Sequence, residues 1–194
     1  MCQEATRRTI WQLTTSCLAE VATLAVPLAD QAIGSMKRFG GDGSILDWAT
    51  PPRLEPRVGK REKPKPLGDI GQFLPGSLVF GDKGRAALGP FLLQFGQLLK
   101  LEVDGAPYWL FNVTHLVACI DRARSEQRAG GTIGKEAFVE SALPIVPAVF
   151  KDPITARARI YVNDGGKLAL EEAAAQSGIR GLKFLRAGLA ERAP

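Results

Sequence analysis

Two stretches of this chain share one pattern, and that sharing limits the folds open to it more than any other feature. LVFGDKGRAALGPFLLQFGQLLKL, Leu78 to Leu101, is echoed by IYVNDGGKLALEEAAAQSGIRGLKFL, Ile160 to Leu185. At an offset of 82 positions Asp82 falls on Asp164, Gly84 on Gly166, Arg85 on Lys167, Ala87 on Ala169, Leu88 on Leu170 and Gly96 on Gly178. In the first stretch LVF is a strand end, and Asp82 is placed to cap the helix that follows. Leu88, Phe91, Leu92 and Phe95 recur at helical spacing and predict one buried face. Pro90 is a point where the helix would kink or restart, and Gly96 stands where a left-handed stop is wanted. In the second stretch Asp164 takes the cap position, Leu170, Ala173, Ala174 and Ser177 form the face, and Gly178 ends the helix. Each stretch closes in a strand, LLKLEV and GLKFL. Two strand-helix-strand units this far apart exceed the period of a solenoid, about 20–50 residues, and instead predict two related lobes around one core.

Between them, the apolar runs of LLKLEVDGAPYWLFNV flank Asp104-Gly105, a dipeptide suited to the positive-φ turn of a hairpin. Antiparallel strands are therefore expected at Leu98 to Val103 and Tyr108 to Val113. THLVACIDRARSEQRAGG then passes from an apolar run to charges and paired glycines. ALPIVPAVFKDP and ARIYV read as further extended segments. The mixture predicts an α+β fold: a mixed, largely antiparallel sheet with short helices, containing two copies of the strand-helix-strand unit. It leaves open whether the strands flanking each helix are parallel neighbours.

The N-terminal third is less regular. RTIWQL reads as a strand, CLAEVATLAV as a helix ended by Pro27, and FGGDGSILDWATPP as a turn-rich loop with an isolated Trp48. The run after Arg7 and Arg8 is interrupted by Gln12, Thr14, Thr15, Ser16 and Glu20, unlike a secretory signal, and no run approaches a membrane span. Three scattered cysteines, Cys2, Cys17 and Cys119, form neither a disulfide framework nor a CxxC pair. A soluble cytoplasmic protein is the expectation. Of the formal net charge of +5, the segment Pro51 to Pro66 carries +4, from six cations against Glu55 and Glu62. Its five prolines and low apolar content predict an extended, solvated connector. The chain thus divides into 1–50, 51–66 and a main domain at 67–194.

Catalytic patterns fail on inspection. His115, the single histidine, and Cys119 could share one side of a strand or helical turn, but they lie in an apolar run that reads as packed core. AGGTIGKEA has Ala129 where a phosphate loop needs its first glycine and Glu136 where it needs a hydroxyl, so it reads as a turn. GGDGS, Gly40 to Ser44, has too few oxygen ligands for a calcium loop, and no zinc set exists. Glu171 and Glu172 suit the start of a helix. No enzyme, cofactor or metal is expected, and binding becomes the default function.

YWLFNVTHLVACIDRARSEQR, PIVPAVFKD and IYVNDGGKLALEEAAAQSGIRGLKF together resemble a bacterial immunity protein family, the eleventh class of polymorphic-toxin immunity proteins. The resemblance rests on Phe111-Asn112-Val113, on Asp121 to Ser125, on Phe150, and on a terminal GLxGLxF pattern, here Gly178 to Phe184. KPLGDI and LVFGDKGRAAL fall in the family's usual order, so that it covers about 64–187. Arg122 and Arg124 depart from the usual residues of the aspartate stretch. The resemblance implies a cytoplasmic antidote that binds and neutralises a cognate toxin effector domain, in interbacterial competition through a contact-dependent or type VI secretion system.

Such binding needs anchors within a water-excluding rim. The candidate partner-binding residues are Asp42, Asp47 and Trp48 in one loop and Arg122, Arg124 and Glu126 in another. Structural roles compete at each: tryptophan is commonly core, and charge runs are commonly solvated surface. The basic balance points away from phosphate mimicry and toward a neutral or acidic toxin face. The alternative is a basic nucleic-acid-binding adaptor acting through 51–66, which lacks aromatic residues for base stacking.

Overall fold

Asp104 and Gly105 both adopt positive φ, 49° and 77°, in a computed structural model that describes residues 8–16, 20–31, 35–58 and 63–191. The hairpin they turn is the longest antiparallel pairing around them and organises the first of two main sheets. That sheet contains β2 (Leu24–Ala25), β3 (Arg53–Pro56), β4 (Ile70–Gly71), β5 (Leu78–Phe80), β6 (Gly96–Val103) and β7 (Ala106–Val113), in the spatial order β2-β3-β6-β7-β5-β4. A bridge between Thr23 and Gln72 joins its two edges, so the sheet curls back on itself. Side chains alternate across the strands as the pleat requires. Leu54, Val79, Leu101, Val103, Tyr108 and Leu110 point inward with Phe39 and Phe73. Leu78, Phe80, Phe111 and Val113 face the other way, against α1 (Asp82–Leu92).

The second sheet has the order β10-β13-β1-β12-β11, built from β1 (Thr9–Thr15), β10 (Phe138–Val139), β11 (Val149–Phe150), β12 (Ile160–Asn163) and β13 (Leu182–Glu191). Segment 115–121 spans its open side through bridges Leu116 to Lys151 and Ile120 to Phe138. Alternation along β1 sends Ile10 and Leu13 to opposite faces, and the pairing with β13 takes up one extra residue, Ala187, opposite Ile10 and Trp11. Ile10 joins Cys119, Phe138, Phe150 and Tyr161 inside, while Leu13 joins Val149, Ile160 and Val162 against α2 (Asp164–Ser177). The two helices pack on each other, and one apolar cluster draws on both sheets. A small ribbon of β8 (Glu126–Gln127) and β9 (Ile133–Lys135) projects from the second sheet.

The architecture is α+β with largely antiparallel sheets, as the sequence predicts. The strands flanking each helix are parallel but are not neighbours: β7 lies between β5 and β6, and β1 lies between β12 and β13, each antiparallel to both. The helix starts differ from expectation by one residue. Gly81, not Asp82, is the N-cap of α1 and offers no side-chain bond. Asn163, not Asp164, caps α2: its Oδ1 accepts from Gly166 N at 2.9 Å and Ala148 N at 3.0 Å. Asp164 instead accepts from Thr9 N and Trp11 Nε1, at 3.0 and 2.8 Å, tying β1 to the helix.

Gly84 and Gly166 have a common reason. A Cβ on either would lie 2.6 Å from Asp69 O or 2.4 Å from Ala148 O, so a carbonyl presses on the first turn of both helices. The correspondence fails at the other end. Gly178 is the left-handed C-cap, with φ 60°, but Gly96 begins β6, where a Cβ would meet Asn112 O at 2.1 Å. Helix α1 also runs through Pro90 to Leu92. It stops two residues later, so the missing N–H interrupts only the last turn.

Two further expectations are corrected. The described part of CLAEVATLAV, from Glu20 on, is not helical. Ala22, Leu24 and Val26 are buried in alternation, the period of the strand that pairs with β3. Nor is 51–66 a solvated connector throughout, because Pro52 and Leu54 are buried and β3 runs parallel to β6. Residues 59–62 lie outside the described part. The expected division at 51–66 is therefore not a boundary: β1 sits in the middle of the second sheet, and β2 and β3 belong to the first.

Candidate functional site

Loop 40–48 turns through positive φ at Gly40, Gly41 and Gly43, and it is fastened to the body by side chains far away in sequence. Gln97 brackets Leu46, with Leu46 N donating to Oε1 at 2.9 Å and Nε2 donating to Leu46 O at 3.0 Å. Asn112 Nδ2 donates to Ser44 O at 2.8 Å and to Gln97 Oε1 at 2.9 Å. Lys151, 1% exposed, donates from Nζ to Gly41 O at 2.8 Å. Four anchors on three strand or bridge positions hold the loop in one shape. Asp42 accepts from Ser44 Oγ and N, at 2.7 and 3.1 Å, and these bonds hold its carboxyl below the usual carboxylate range. Arg157 Nη2 approaches Asp42 at 3.4 Å.

Trp48 does not share this exposed position. Its Nε1 donates to Lys100 O at 3.0 Å, its ring meets Phe39 edge-on at 5.9 Å, and it packs against the core of the first sheet. Asp47 is exposed beside it. Ile45, at 78% exposed, is the large apolar side chain the loop presents to solvent, and Leu116 is exposed next to Gly43.

The second predicted patch is a turn built by Asp121. Its Oδ1 accepts from Ala123 N and Arg124 N, and Oδ2 from Arg124 Nε at 2.7 Å, lowering its carboxyl below the usual range. Ser125 Oγ donates to Asp121 O and accepts from Ala137 N, so the aspartate-to-serine stretch has a scaffolding role. Glu126 pairs with Lys135 across the ribbon at 3.4 Å. Arg122 and Arg128 are exposed and rim a cavity of about 430 Å³ whose far wall is Ile154, Thr155, Ala158 and Arg159.

Turn 152–159 connects the patches: Arg157 reaches Asp42 on one side, and Ile154 and Ala158 face Arg122 across the cavity on the other. Asp42 and Arg122 thus flank one turn, whereas Trp48 belongs to the other sheet. Behind the cavity lies a polar cluster that the sequence reading missed. Arg159 Nη1 pairs with Glu136, and its Nη2 donates to Ile133 O and Gly134 O at 3.1 and 3.2 Å. Tyr161 OH donates to Glu136 Oε1 at 2.6 Å and lies 2.9 Å from Thr155 Oγ1. Burial pushes the Tyr161 phenol up, so it stays a donor. The one available signal was Glu136 itself, an acid in a stretch that otherwise reads as a turn.

His115 and Cys119 are not a pair. His115 Nδ1 lies 3.0 Å from Val149 O with its ring stacked on Phe95, while Cys119 is buried, and burial, followed by Asp152, pushes its thiol up. AGGTIGKEA begins with the turn of the β8–β9 ribbon, with Gly130 and Gly131 at positive φ, and continues into β9 itself, so only its first part is a turn. Among the described residues no cluster of histidine, cysteine, aspartate or glutamate could hold a metal ion, and no helix is long and apolar enough to cross a membrane.

Lys151 makes a measurable prediction. Burial pulls its ammonium down from 10.5 to about 8, against a smaller upward pull from Asp42. The unfolded chain then binds more protons between about pH 8 and 10.5, so stability rises with pH through that window and the full penalty stands below it. The whole rise should be about 3 kcal/mol, with about 2 kcal/mol of it between pH 8 and pH 10. Denaturant melts at pH 8 and pH 10 should show it in the native protein and not in K151M; equal slopes would refute it.

No protein-family model matches this chain, and no curated protein matches it.

Proposed function

We propose that this protein is a cytoplasmic immunity protein, an antitoxin that binds a cognate toxin effector domain and neutralises it by direct contact. The reading rests on the sequence resemblance, and one structural observation supports it. Loop 40–48 is held in a single shape by Gln97, Asn112 and Lys151 while presenting Ile45 beside Leu116, with the Asp42 and Arg157 pair alongside. A pre-ordered face loses little conformational entropy on binding, which tight inhibition requires. An apolar centre within a polar, charged rim is the usual anatomy of such a contact.

Co-expression with the C-terminal domain of the neighbouring large open reading frame tests this directly. A stoichiometric complex with restored growth is expected, and I45R/L116R should weaken binding by at least about tenfold without lowering the melting temperature. No complex and no rescue, with the toxin domain expressed, would refute the proposal. The alternative, a nucleic-acid adaptor using 51–66, has less support, since Leu54 is buried and Arg53 is occupied with Glu102 at 3.5 Å. A steep salt dependence of duplex binding would revive it.

A further inference from the structure

We propose that the cavity between the β8–β9 ribbon and turn 152–159 binds a phosphate group, free or at the end of a small organic molecule. Two guanidinium groups rim it without a matching acid. Arg128 makes no side-chain hydrogen bond or ion pair among the described residues, and Arg122 makes only a 3.5 Å contact with Gly131 O. The nearby acids are engaged elsewhere, Asp121 with Arg124 and Glu126 with Lys135. Arg159, on the inner wall, is neutralised by Glu136 and held by two carbonyls, so it shapes the cavity and adds no net charge.

The surplus of two positive charges selects the ligand class. A carboxylate would compensate one arginine, whereas a phosphate monoester carries about −1.5 to −2 at neutral pH and three strong acceptor oxygens. Guanidinium groups match phosphate oxygens in two-point geometry. The exposed Thr132 hydroxyl on the rim adds a donor. At about 430 Å³ the cavity has room for more than the phosphate itself, within the roughly 300–1,000 Å³ range of small-molecule sites. Ile154 and Ala158 offer an apolar wall to the remainder of such a molecule. Gly130 and Gly131 turn the ribbon at positive φ, and Gly131 lines the cavity together with both arginines.

Calorimetric titration of the full chain with inorganic phosphate, pyrophosphate and adenosine 5′-monophosphate, with adenosine as the uncharged control, tests the assignment. Saturable one-to-one binding of a phosphate compound and none of adenosine is expected. Tighter binding of the nucleotide than of inorganic phosphate would identify an ester site; equal binding would identify a site for the free ion. R122A/R128A should weaken binding by roughly tenfold or more, and K183A/R186A, which removes the same charge from exposed positions on β13, should leave it unchanged. R128A alone carries the test should the double variant melt early. Equal losses in both double variants, or no saturable binding of any phosphate, would overturn the proposal. So would Arg122- and Arg128-dependent binding of a tetraglutamate peptide in place of the phosphates, which would assign the cavity to an acidic protein partner.

Discussion

Replacing Glu136 with alanine should lower the free energy of unfolding by about 3–5 kcal/mol, the cost of breaking a buried ion pair from one side. The side chains of Glu136 and Arg159 are 3% and 15% exposed, so solvent screens their interaction little. Without the carboxylate, Arg159 keeps Ile133 O and Gly134 O but loses its anionic partner. Tyr161 OH loses its acceptor as well and is left with Thr155. E136Q retains an oxygen for Tyr161 but no charge for Arg159, so it should fall between the alanine variant and the native protein. Removing both charges with E136M/R159M should recover part of the loss, because no uncompensated charge is left, while Ile133 O, Gly134 O and Tyr161 OH still lose these partners. Urea melts followed by tryptophan fluorescence and by circular dichroism would measure all three variants. An alanine variant within about 1 kcal/mol of the native protein would mean the pair is hydrated and worth no more than a surface bridge.

That pair also marks where sequence reading stops. The Asp104-Gly105 hairpin, the strand at β1, the buried face of α1 and the Gly178 stop were legible because each is fixed by neighbours within a few positions. What joins the sheets was not. Nothing near Thr9 to Thr15 says that this strand lies between β12 and β13, since its partners are about 150 to 180 residues away and its own pattern specifies only a strand buried on both faces. CLAEVATLAV reads as a helix ended by Pro27, and only the presence of β3 decides for a strand at Leu24. The candidate site divides in the same way. Asp42, Arg122 and the turn glycines stand out locally, whereas the groups that fix them, Gln97 beneath Leu46, Lys151 beneath Gly41 and Arg159 against Glu136, are pairings across the chain. Trp48 was singled out for its isolation in a polar loop, yet its indole finds its partners, Phe39 and Lys100 O, only in the folded sheet.

Asp152 should be as sensitive as Glu136, for a different reason. Its Oδ2 accepts from Cys119 N and Ile120 N, both at 2.8 Å, and its Oδ1 from Ile154 N at 2.8 Å. One buried carboxylate therefore tethers segment 115–121, which spans the open side of the second sheet, to the turn that walls the cavity. D152A leaves Cys119 N and Ile120 N without an acceptor in the core. At about 1–3 kcal/mol for each orphaned group the expected loss is about 2–6 kcal/mol. D152N should be less damaging than D152A, because its Oδ1 can still accept from Cys119 N and Ile120 N while its NH₂ faces only Ile154 N, donor against donor. The segment should also loosen before the whole protein unfolds, since its remaining polar ties, the two bridges and the bonds of His115 to Phe95 O and Val149 O, lie near its ends. Cys119 reports on this directly: buried in the native state, it should react with a thiol reagent at least about tenfold faster in D152A, at denaturant concentrations where the helices remain intact. In a C2S/C17S background the signal comes from this thiol alone. Cys119 reacting only in step with global unfolding would show that the bridges, not Asp152, hold the segment in place.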